Sequence, residues 1–591
     1  MCGIVGYFGF RRADQVIISA LKRLEYRGYD SWGVAVKHGN GLEIIKMVGA
    51  IGDVENYSLA EGSIGIGHTR WATHGKPSEI NAHPHKDCNN KIAVVHNGII
   101  SNFQSLREEL ERKGHKFSSE TDTEVIPHLI EEEYRGDLIE AVMKAVEKLK
   151  GSFAIVVMHA EKEELVAVRY KSPLIIGVGD GEWFIASDVP AVLDYTNRVI
   201  YLEDGDILRI GNDGFKIWNN GKEVERRVET VPWSIEDAEK GGYEHFMLKE
   251  IHEIPRVVED TLFEYLSEGI DLDVSFSAGI SEIVFVACGT SYHASLIGKY
   301  LIEKLTGIPV RVEFASEFIY NPPPMGRTLV IAITQSGETA DTLEAMRMAK
   351  KLGAKVVAIV NVLGSTATRI ADNILYTRAG PEISVAATKS FIAQLVVLYL
   401  LALKLSKMPG SEIEKLVDEL RIMPELVRKI LEREEEIEQI AEEIAKYEDI
   451  MYIGRGIGVA IAMEGALKMK EISYIHAEAY PAGELKHGPF ALLSRETPVI
   501  ALLVSDETYE IMLNNIKEVK ARESLVIALA DEEDKEVEKY VDFVIRLPKT
   551  NYLFTAITYS VALQLLAYYT AKKRGCEIDK PRNLAKSVTV E

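Results

Sequence analysis

The sequence predicts a layered α+β domain followed by two α/β domains, each with a parallel sheet covered by helices. Three observations predict this fold class. Residues 2–215 alternate short apolar runs with glycine-rich turns, which is typical of buried strands, and contain few helical periods. After Ser281 the pattern changes to strand, glycine-containing loop and helix, repeated. That pattern recurs after roughly 170 residues, which indicates a duplicated domain.

In the first region, apolar runs such as 4–8 and 92–95 predict strands with turns between them. Apolar residues at helical spacing predict four helices, at 13–26, 102–113, 122–134 and 137–149. Asp122 stands at the start of the third and is predicted to cap it. Because the sequence then becomes polar and rich in asparagine and glycine, we predict a linker at 216–245.

The duplicated half carries matching strand runs in its two copies. The runs 283–287 and 328–333 correspond to 449–453 and 497–502, and a charged stretch between the copies predicts connecting helices. The predicted boundaries are 2–215 for the first domain, 216–245 for the linker, 246–410 and 449–580 for the two α/β domains, 411–448 for the connecting helices and 581–591 for a C-terminal tail.

Composition and charge exclude several classes of function. The net charge of −22 argues against nucleic-acid binding, since a duplex binder needs a basic face. The four cysteines show no paired spacing for zinc or for disulfides, so a reducing cytoplasm is predicted. The most apolar run, 391–405, is too short to span a bilayer, and the start of the chain lacks a signal-peptide pattern. No membrane partner is therefore predicted.

The amino terminus offers a candidate nucleophile. Cellular removal of Met1 would make Cys2 the first residue, with its own α-amine beside its thiol. Such an amine titrates near neutral pH and can act as the general base for the adjacent thiol. A cysteine at this position is by itself more often an ordinary residue, so the interpretation depends on what accompanies it.

Three polar segments in the same domain accompany Cys2 and favour a catalytic role for it. The Arg70 guanidinium can donate two parallel hydrogen bonds to a carboxylate. Asn97 offers a side-chain amide and Gly98 a backbone N–H, the two donors that an oxyanion hole needs. The segment 119–123 adds carboxylates for an α-ammonium group. Together these groups can bind an amino acid by both charged ends and present its side-chain carbonyl to a thiol.

These segments resemble the N-terminal-nucleophile (type 2) glutamine amidotransferases, in which a cysteine forms a γ-glutamyl thioester and releases ammonia. The resemblance rests on Cys2-Gly3-Ile4-Val5-Gly6, on Arg27-Gly28-Tyr29-Asp30-Ser31 and on the runs 68–75, 96–100 and 121–124. It implies that Cys2 is the nucleophile, that Asn97 and Gly98 hold the oxyanion, and that Trp71 gates the way to a second site. The residues implied to bind glutamine are Arg70, Trp71, Thr73, His74 and Asp122.

Two loops of the first α/β domain have the character of anion sites. The loops 289–291 and 336–339 each follow a strand and open a helix, where backbone N–H groups and small hydroxyls can hold a phosphate. Ordinary helix capping would use the same residues, so this chemistry alone leaves both interpretations open. In the second copy the matching loop carries Asp506, which would repel an anion. We therefore predict a single phosphate site, in the first copy.

The duplicated half resembles the sugar-isomerase (SIS) domain in tandem. The runs 470–480, 483–489 and 581–591 extend the resemblance along the chain, to amidotransferases that aminate fructose 6-phosphate. It implies that Lys586 forms a Schiff base with the sugar, that Glu471 moves a proton between C1 and C2, and that His487 assists ring opening from a neighbouring subunit. The residues implied to contact the sugar phosphate are Thr290, Ser291, Thr334, Gln335, Ser336, Thr339, Val385 and Ala386.

The resemblance also implies L-glutamine and fructose 6-phosphate as substrates, a homodimer, a cytoplasmic location and no metal or organic cofactor. Thr334 and Ala387 stand where serine is expected, which leaves that part of the sugar site open. Alternatives are a glutamine-dependent purine-pathway amidotransferase, a sugar-phosphate deaminase and a non-catalytic SIS sensor. The tail gives a structural expectation: 581–591 is ordered and Lys586 lies near the loops at 290 and 336.

Overall fold

The computed structural model describes residues 2–52, 59–72, 74–231, 239–267 and 269–589. The chain forms two compact units. The first comprises residues 1–238 together with 585–591, and the second comprises residues 239–584.

The first unit contains two antiparallel sheets. Its strands are β1 (Gly3–Phe8), β2 (Ser31–His38), β3 (Gly41–Val48), β4 (Ile64–Arg70), β5 (His85–Lys86), β6 (Ile92–Ile100), β7 (Gly151–His159), β8 (Glu164–Tyr170), β9 (Ile175–Val178), β10 (Trp183–Ala186), β11 (Arg198–Tyr201), β12 (Asp206–Gly211), β13 (Gly214–Asn219), β14 (Lys222–Val224) and β15 (Glu229–Thr230). One sheet has the order β15-β11-β9-β10-β1-β4-β2-β3 and the other β14-β13-β12-β8-β7-β6-β5.

In the described part of this unit, four helices cover the sheets: α1 (Ala13–Arg23), α2 (Phe103–Arg112), α3 (Val125–Glu133) and α4 (Leu138–Val146). The inner faces of the two sheets share one apolar core, to which Ile66 and Val156 belong. The outer face of the second sheet packs on α2, α3 and α4. Ile17 of α1 lies against the glycines of β4 on the outer face of the first sheet. The result is a four-layer α/β/β/α sandwich, which confirms the predicted layered α+β class and all four predicted helices.

Two details of the first unit differ from the prediction. Asp122 does not cap α3; its Oδ2 instead accepts a hydrogen bond from the backbone N–H of Ile100 at 2.8 Å. The predicted linker at 216–245 begins within β13 and contains β14 and β15. Asn220 and Gly221, with φ of +49° and +74°, form the two-residue turn between β13 and β14. Its polar composition reflects exposed edge strands.

The second unit contains two parallel five-stranded sheets. The strands are β16 (Glu282–Ala287), β17 (Val310–Phe314), β18 (Thr328–Thr334), β19 (Lys355–Val360) and β20 (Asn373–Tyr376), then β21 (Asp449–Gly454), β22 (His476–Pro481), β23 (Val499–Leu502), β24 (Val526–Asp531) and β25 (Phe543–Leu547). The sheet orders are β17-β16-β18-β19-β20 and β22-β21-β23-β24-β25, the same order twice. This repetition confirms the predicted duplication.

Thirteen helices accompany these sheets within the described residues. They are α5 (Phe246–His252), α6 (Ile254–Tyr265), α7 (Gly289–Thr306), α8 (Ala315–Phe318), α9 (Ala340–Lys351), α10 (Thr366–Ile370), α11 (Lys389–Leu405), α12 (Gly410–Arg421), α13 (Met423–Leu431), α14 (Glu434–Ile444), α15 (Ile457–Ser473), α16 (Tyr509–Lys520) and α17 (Thr555–Lys573). Residues of α7, α11, α15 and α17 lie in one apolar core that extends through both copies.

The most apolar helices of this unit are core helices. Every residue of α11 from Lys389 to Leu403 is buried, as predicted for this run. The segment Tyr552–Lys573 is long and apolar enough to cross a membrane by composition, and its apolar window is entirely buried inside the protein. Its burial therefore accounts for its composition without a bilayer.

The chain that leads to the C-terminal tail is anchored at two places in the second unit. The Asp579 carboxylate accepts hydrogen bonds from the N–H groups of Phe246 and Met247, both at 2.9 Å, and so caps α5. Arg582 donates its N–H to the Tyr474 hydroxyl at 2.9 Å, and its guanidinium lies 4.3 Å from that ring centroid. Tyr474 is the C-cap residue of α15.

Candidate active sites

Cys2 lies at the start of β1, held by β4 and β6. The N–H of Trp71 donates to its Sγ at 3.2 Å. Its carbonyl accepts from Asn97 Nδ2 at 2.9 Å and from Arg27 Nε at 3.2 Å. Burial raises the pKa of the Cys2 thiol, and the Trp71 N–H and the charges of Arg70 and Arg27 offset this only in part. A general base is therefore needed to form the thiolate near neutral pH.

The two predicted oxyanion donors lie side by side in β6. His68 Nε2 is 3.1 Å from Asn97 Oδ1 and 2.9 Å from the His96 carbonyl, so it donates and fixes the Asn97 amide with its NH₂ towards Cys2. Gly98 has φ +121°, and a Cβ there would lie 2.0 Å from the Ser152 carbonyl oxygen. Only glycine fits this position. His68 is therefore a positioning residue. It belongs to the sequence motif at 68–75, but the sequence alone gave it no role in the site.

We expect Asn97→Ala to lower kcat for glutamine hydrolysis by about 10²–10³-fold, because it removes one donor to the developing oxyanion. The measurement is steady-state glutamate release by the full chain. Asn197→Ala, at an exposed position, is the matched control and should leave kcat unchanged. Equal kcat values for the two variants would show that Asn97 does not contribute to the oxyanion hole.

Arg70 provides a buried donor suited to a carboxylate. Its Nη2 donates to the carbonyls of His74 and Gly75, the latter at 3.0 Å. Its Nη1 is buried and has no hydrogen-bond partner among the described residues. Such an orphaned charged donor is costly unless a ligand satisfies it. Arg70 is therefore the predicted glutamine contact that the geometry supports most directly.

The other predicted glutamine-binding residues surround this segment. Trp71 packs edge-on against Tyr29 with ring centroids 5.7 Å apart, and His74 packs edge-on against Phe103 at 5.3 Å. Asp122 is buried. Thr73 lies outside the described residues, so its predicted role stays a prediction.

Buried imidazoles near this site predict acid sensitivity. Burial lowers the pKa of His68 to about 3, and also lowers the pKa values of His83, His85 and His96. The unfolded chain therefore binds more protons than the folded one between the folded pKa and about 6.5. Stability is complete above that range and is lost as pH falls through it.

We expect the first unit to unfold more readily as pH falls from about 6.5 towards 4, with His68 alone contributing about tenfold in the folding equilibrium per pH unit and the other buried histidines adding in the same direction. All five tryptophans lie in residues 1–238, so tryptophan fluorescence during urea unfolding reports this unit. His85→Gln should flatten the pH dependence, whereas His476→Gln, at an exposed position, should not. A stability independent of pH between 7 and 4 would contradict the prediction.

The two predicted phosphate loops lie at one edge of the first parallel sheet, because β16 and β18 are adjacent parallel strands. Gly337 has φ +70°, and a Cβ there would lie 2.0 Å from Ser365 Oγ. The Glu338 carboxylate accepts from the N–H and hydroxyl of Thr366 at 2.7 and 2.8 Å and thereby caps α10. This glutamate is thus already engaged by α10.

The other predicted phosphate contacts are held by neighbouring side chains. Thr334 Oγ1 accepts from the Gly337 N–H at 3.2 Å and lies 3.3 Å from Thr339 Oγ1. Ser291 Oγ accepts from Gln394 Nε2 at 3.0 Å. These contacts fix the hydroxyls of the loops. Gln335 and Ser336 are half-buried within the same loop.

A buried charged network joins the first copy to α15 of the second. Thr290 Oγ1 donates to Glu464 at 3.1 Å, and His293 Nδ1 lies 2.7 Å from the same carboxylate. Lys468, only 1% exposed, lies 3.6 Å from Glu464 and 2.5 Å from Glu471. Burial disfavours its charge, but Glu471 and Glu464 outweigh that effect and raise the pKa of Lys468.

The Lys468–Glu471 pair is part of this buried network. The pair is buried at its lysine end, so it is not a surface ion pair. Glu464, Lys468 and Glu471 are spaced by four and three residues and therefore share one face of α15. This spacing is visible in the sequence and could have indicated that the three residues interact. His293 comes from another helix, and no local pattern indicated it.

The remaining predicted residues are more scattered. Val385 and Ala386 are buried, and the Val385 N–H donates to the Asp579 carbonyl at 3.0 Å. His487 lies on an exposed 3₁₀ turn of the second copy. Lys586 lies in the part of the tail that belongs to the first unit, so its predicted place near the loops at 290 and 336 stays a prediction.

The second copy differs in its loop as predicted from its residues. Asp506 Oδ1 accepts from the N–H and hydroxyl of Thr508 at 2.7 and 2.6 Å. A carboxylate therefore lies just before the start of α16, at the position where the first copy has Gly337.

Two domain families match the chain. A family described as a glutamine amidotransferase domain matches residues 68–194, and the SIS domain matches residues 278–404 and 443–573. The fold and the sites thus define a glutamine amidotransferase domain joined to tandem SIS domains.

Full-length relatives place the chain in one family. Proteins from Thermococcus kodakarensis and Clostridium tetani, both named glutamine–fructose-6-phosphate aminotransferase (isomerizing), are 53% and 50% identical to it, each over 100% of both chains. A solved C-terminal domain of glucosamine-fructose-6-phosphate aminotransferase from Francisella tularensis is 41% identical, with a TM-score of 0.56; the match covers 58% of this chain and 100% of that domain. The chain belongs to the isomerising glutamine–fructose-6-phosphate aminotransferase family.

Proposed function

We propose that this protein transfers ammonia from L-glutamine to D-fructose 6-phosphate and isomerises the product to D-glucosamine 6-phosphate. The observation that carries the proposal is the full-length similarity to relatives named for this reaction. The geometry around Cys2 supports the first half of the reaction, and the paired loops of the first SIS copy support the second.

In the glutaminase half, the Cys2 thiolate attacks the side-chain carbonyl of glutamine. The α-amine exposed by Met1 removal takes the thiol proton and passes it to the departing ammonia. Asn97 Nδ2 and the Gly98 N–H stabilise the oxyanion, and Arg70 holds the α-carboxylate. The γ-glutamyl thioester is then hydrolysed to glutamate. Asn97 Nδ2 uses one N–H on the Cys2 carbonyl at 2.9 Å, which leaves its second N–H to donate to the oxyanion.

In the sugar half, the loops at 289–291 and 335–339 hold the phosphate with backbone N–H groups and hydroxyls. Lys586 forms a Schiff base with the C2 ketone, and Glu471 moves the proton between C1 and C2. Lys468 lies against Glu471, and the raised pKa of Lys468 means that a protonated amine faces the proposed base.

The anchoring of 579–582 supports the role given to Lys586. Asp579 lies beside Val385, and Arg582 is fixed to Tyr474 at the end of the helix that carries Glu471. Lys586 follows Arg582 by four residues, so an extended chain reaches at most about 14 Å further.

We also propose a homodimer and a cytoplasmic location. His487 is exposed on its own chain, as expected of a residue that acts in a neighbouring subunit's site. All four cysteines are free, which fits a reducing compartment.

The direct test is to incubate the full chain with glutamine and fructose 6-phosphate and to identify the products by mass. The expected products are glutamate and a hexosamine phosphate in equal amounts. Phosphoribosyl pyrophosphate in place of the sugar tests the purine-pathway alternative. Release of ammonia from glucosamine 6-phosphate without use of glutamine would instead indicate a deaminase, and binding without any product would indicate a sensor.

A further inference from the structure

Four potential metal ligands converge on the outer side of the glutamine amidotransferase domain. They are Cys88 in the loop between β5 and β6, His115 after α2, and His128 and Glu131 on α3. One ligand atom from each lies within 4.8 Å of all the others. Cysteine spacing along the sequence predicted no zinc site, because these residues are spread over 44 positions and only the fold brings them together.

The distances in this cluster match the edges of a tetrahedron around one ion. Cys88 Sγ is 3.6 Å from Nδ1 of His115 and 3.6 Å from Nδ1 of His128, and the two nitrogens are 3.3 Å apart. Glu131 Oε2 lies 3.2 Å from His115 Nδ1 and 3.5 Å from His128 Nδ1. Tetrahedral zinc with its usual bond lengths requires about 3.6 Å between sulfur and nitrogen and about 3.3 Å between two nitrogens.

The surroundings also have the form of a metal site. His115 Nε2 lies 3.0 Å from Glu132 Oε1, so this ring can donate outward while its Nδ1 lone pair points into the cluster. Carboxylates that orient ligating histidines in this way are typical of zinc sites. The side chains of His115 and His128 are 7% and 1% exposed. Cys88 is exposed and Glu131 half-buried, and their thiolate and carboxylate would together neutralise a divalent cation.

We propose that Cys88, His115, His128 and Glu131 bind one zinc ion. Because the chain supplies all four ligands, the site is structural rather than catalytic. On binding, the Cys88 thiol loses its proton to solvent, and sulfur, two neutral imidazoles and one carboxylate oxygen each donate an electron pair to the metal. No redox step is involved.

A zinc ion at this site would restrain the segment between α2 and α3. His115 lies near the start of this segment and His128 on the helix that follows it, with Asp122 between them. Cys88 ties both to the loop that leads into β6, the strand of Asn97. The ion would thus hold together two elements that carry candidate glutamine-site residues, without being part of that site.

The first experiment is metal analysis of the full chain purified without a histidine tag or chelator. We expect about one zinc per chain in the parent protein, and less than about a tenth of that in Cys88→Ala. Cys576→Ala, which removes a free cysteine in the other unit, should keep the full amount. Glu132→Ala should weaken zinc binding about 10–100-fold in competition with a chromophoric chelator, because it removes the outer hydrogen-bond acceptor of His115 and leaves all four ligands in place.

The second experiment does not depend on any variant folding. Chelator-treated parent protein is titrated with cobalt(II), which should give the intense visible bands of a tetrahedral site and a thiolate-to-cobalt charge-transfer band. Zinc added afterwards should abolish both. A parent protein that retains no zinc, or a weak spectrum typical of octahedral cobalt without charge transfer, would overturn the proposal. These readouts do not involve enzyme activity, so they are independent of the proposed function.

Discussion

Cys2→Ala is expected to lower glutamine-supported formation of glucosamine 6-phosphate by at least about 10⁴-fold, since removal of a catalytic nucleophile leaves only binding and oxyanion stabilisation. The same variant should still convert fructose 6-phosphate to its aldose isomer, because the groups proposed for that reaction, which are the phosphate loops, Glu471 and Lys586, do not include Cys2. Product formation is followed by mass, with and without glutamine.

The control for this variant is Cys576→Ala, which removes another half-buried thiol and should synthesise at the parental rate. Retained synthesis from glutamine in Cys2→Ala would exclude Cys2 as the nucleophile. Loss of isomerisation together with synthesis would mean that the substitution had damaged more than the glutaminase site.

Lys586→Ala is expected to abolish both synthesis and sugar isomerisation, again by at least about 10⁴-fold, because no other group would form the Schiff base with the sugar. Glutamine hydrolysis should persist in this variant. Treatment of the parent protein with fructose 6-phosphate and borohydride should add the mass of one reduced sugar phosphate to the tail peptide, and this adduct should be missing from Lys586→Ala.

Lys580→Ala provides the comparison within the same C-terminal segment, since this lysine precedes the anchoring residue Arg582. It should keep the adduct and the activity. An adduct that persists in Lys586→Ala, or that maps to another lysine, would assign the amine elsewhere and refute the role given to the tail.

Periodicity along the chain was enough to predict the fold class. The four predicted helices of the first unit and the repeated strand, loop and helix pattern of the second followed from apolar spacing, because these elements bury apolar faces. The linker was mispredicted because an Asn220-Gly221 hairpin has the same composition as a loop. Local composition does not distinguish an exposed edge strand from a connecting segment.

The candidate sites were predictable only where residues cluster in sequence. Arg70, Asn97 and Gly98 lie in short motifs, and the family resemblance gave them roles. His68 and His293 act through partners from other elements, and the four residues of the proposed zinc site come from separate loops and helices. Proximity of that kind arises from strand pairing and helix packing, which no short window of sequence contains.

The apolar core shared by the two SIS copies has a consequence for how this half of the protein can change over time. Because α7 and α11 of one copy and α15 and α17 of the other lie in a single core, neither copy could be deleted or exchanged without exposing a large apolar surface. The second copy can therefore carry Asp506 in its loop and still be retained, since it contributes half of a common interior. Each copy therefore needs the other for its apolar core. The loop residues of one copy could change, while the packing of both had to be kept.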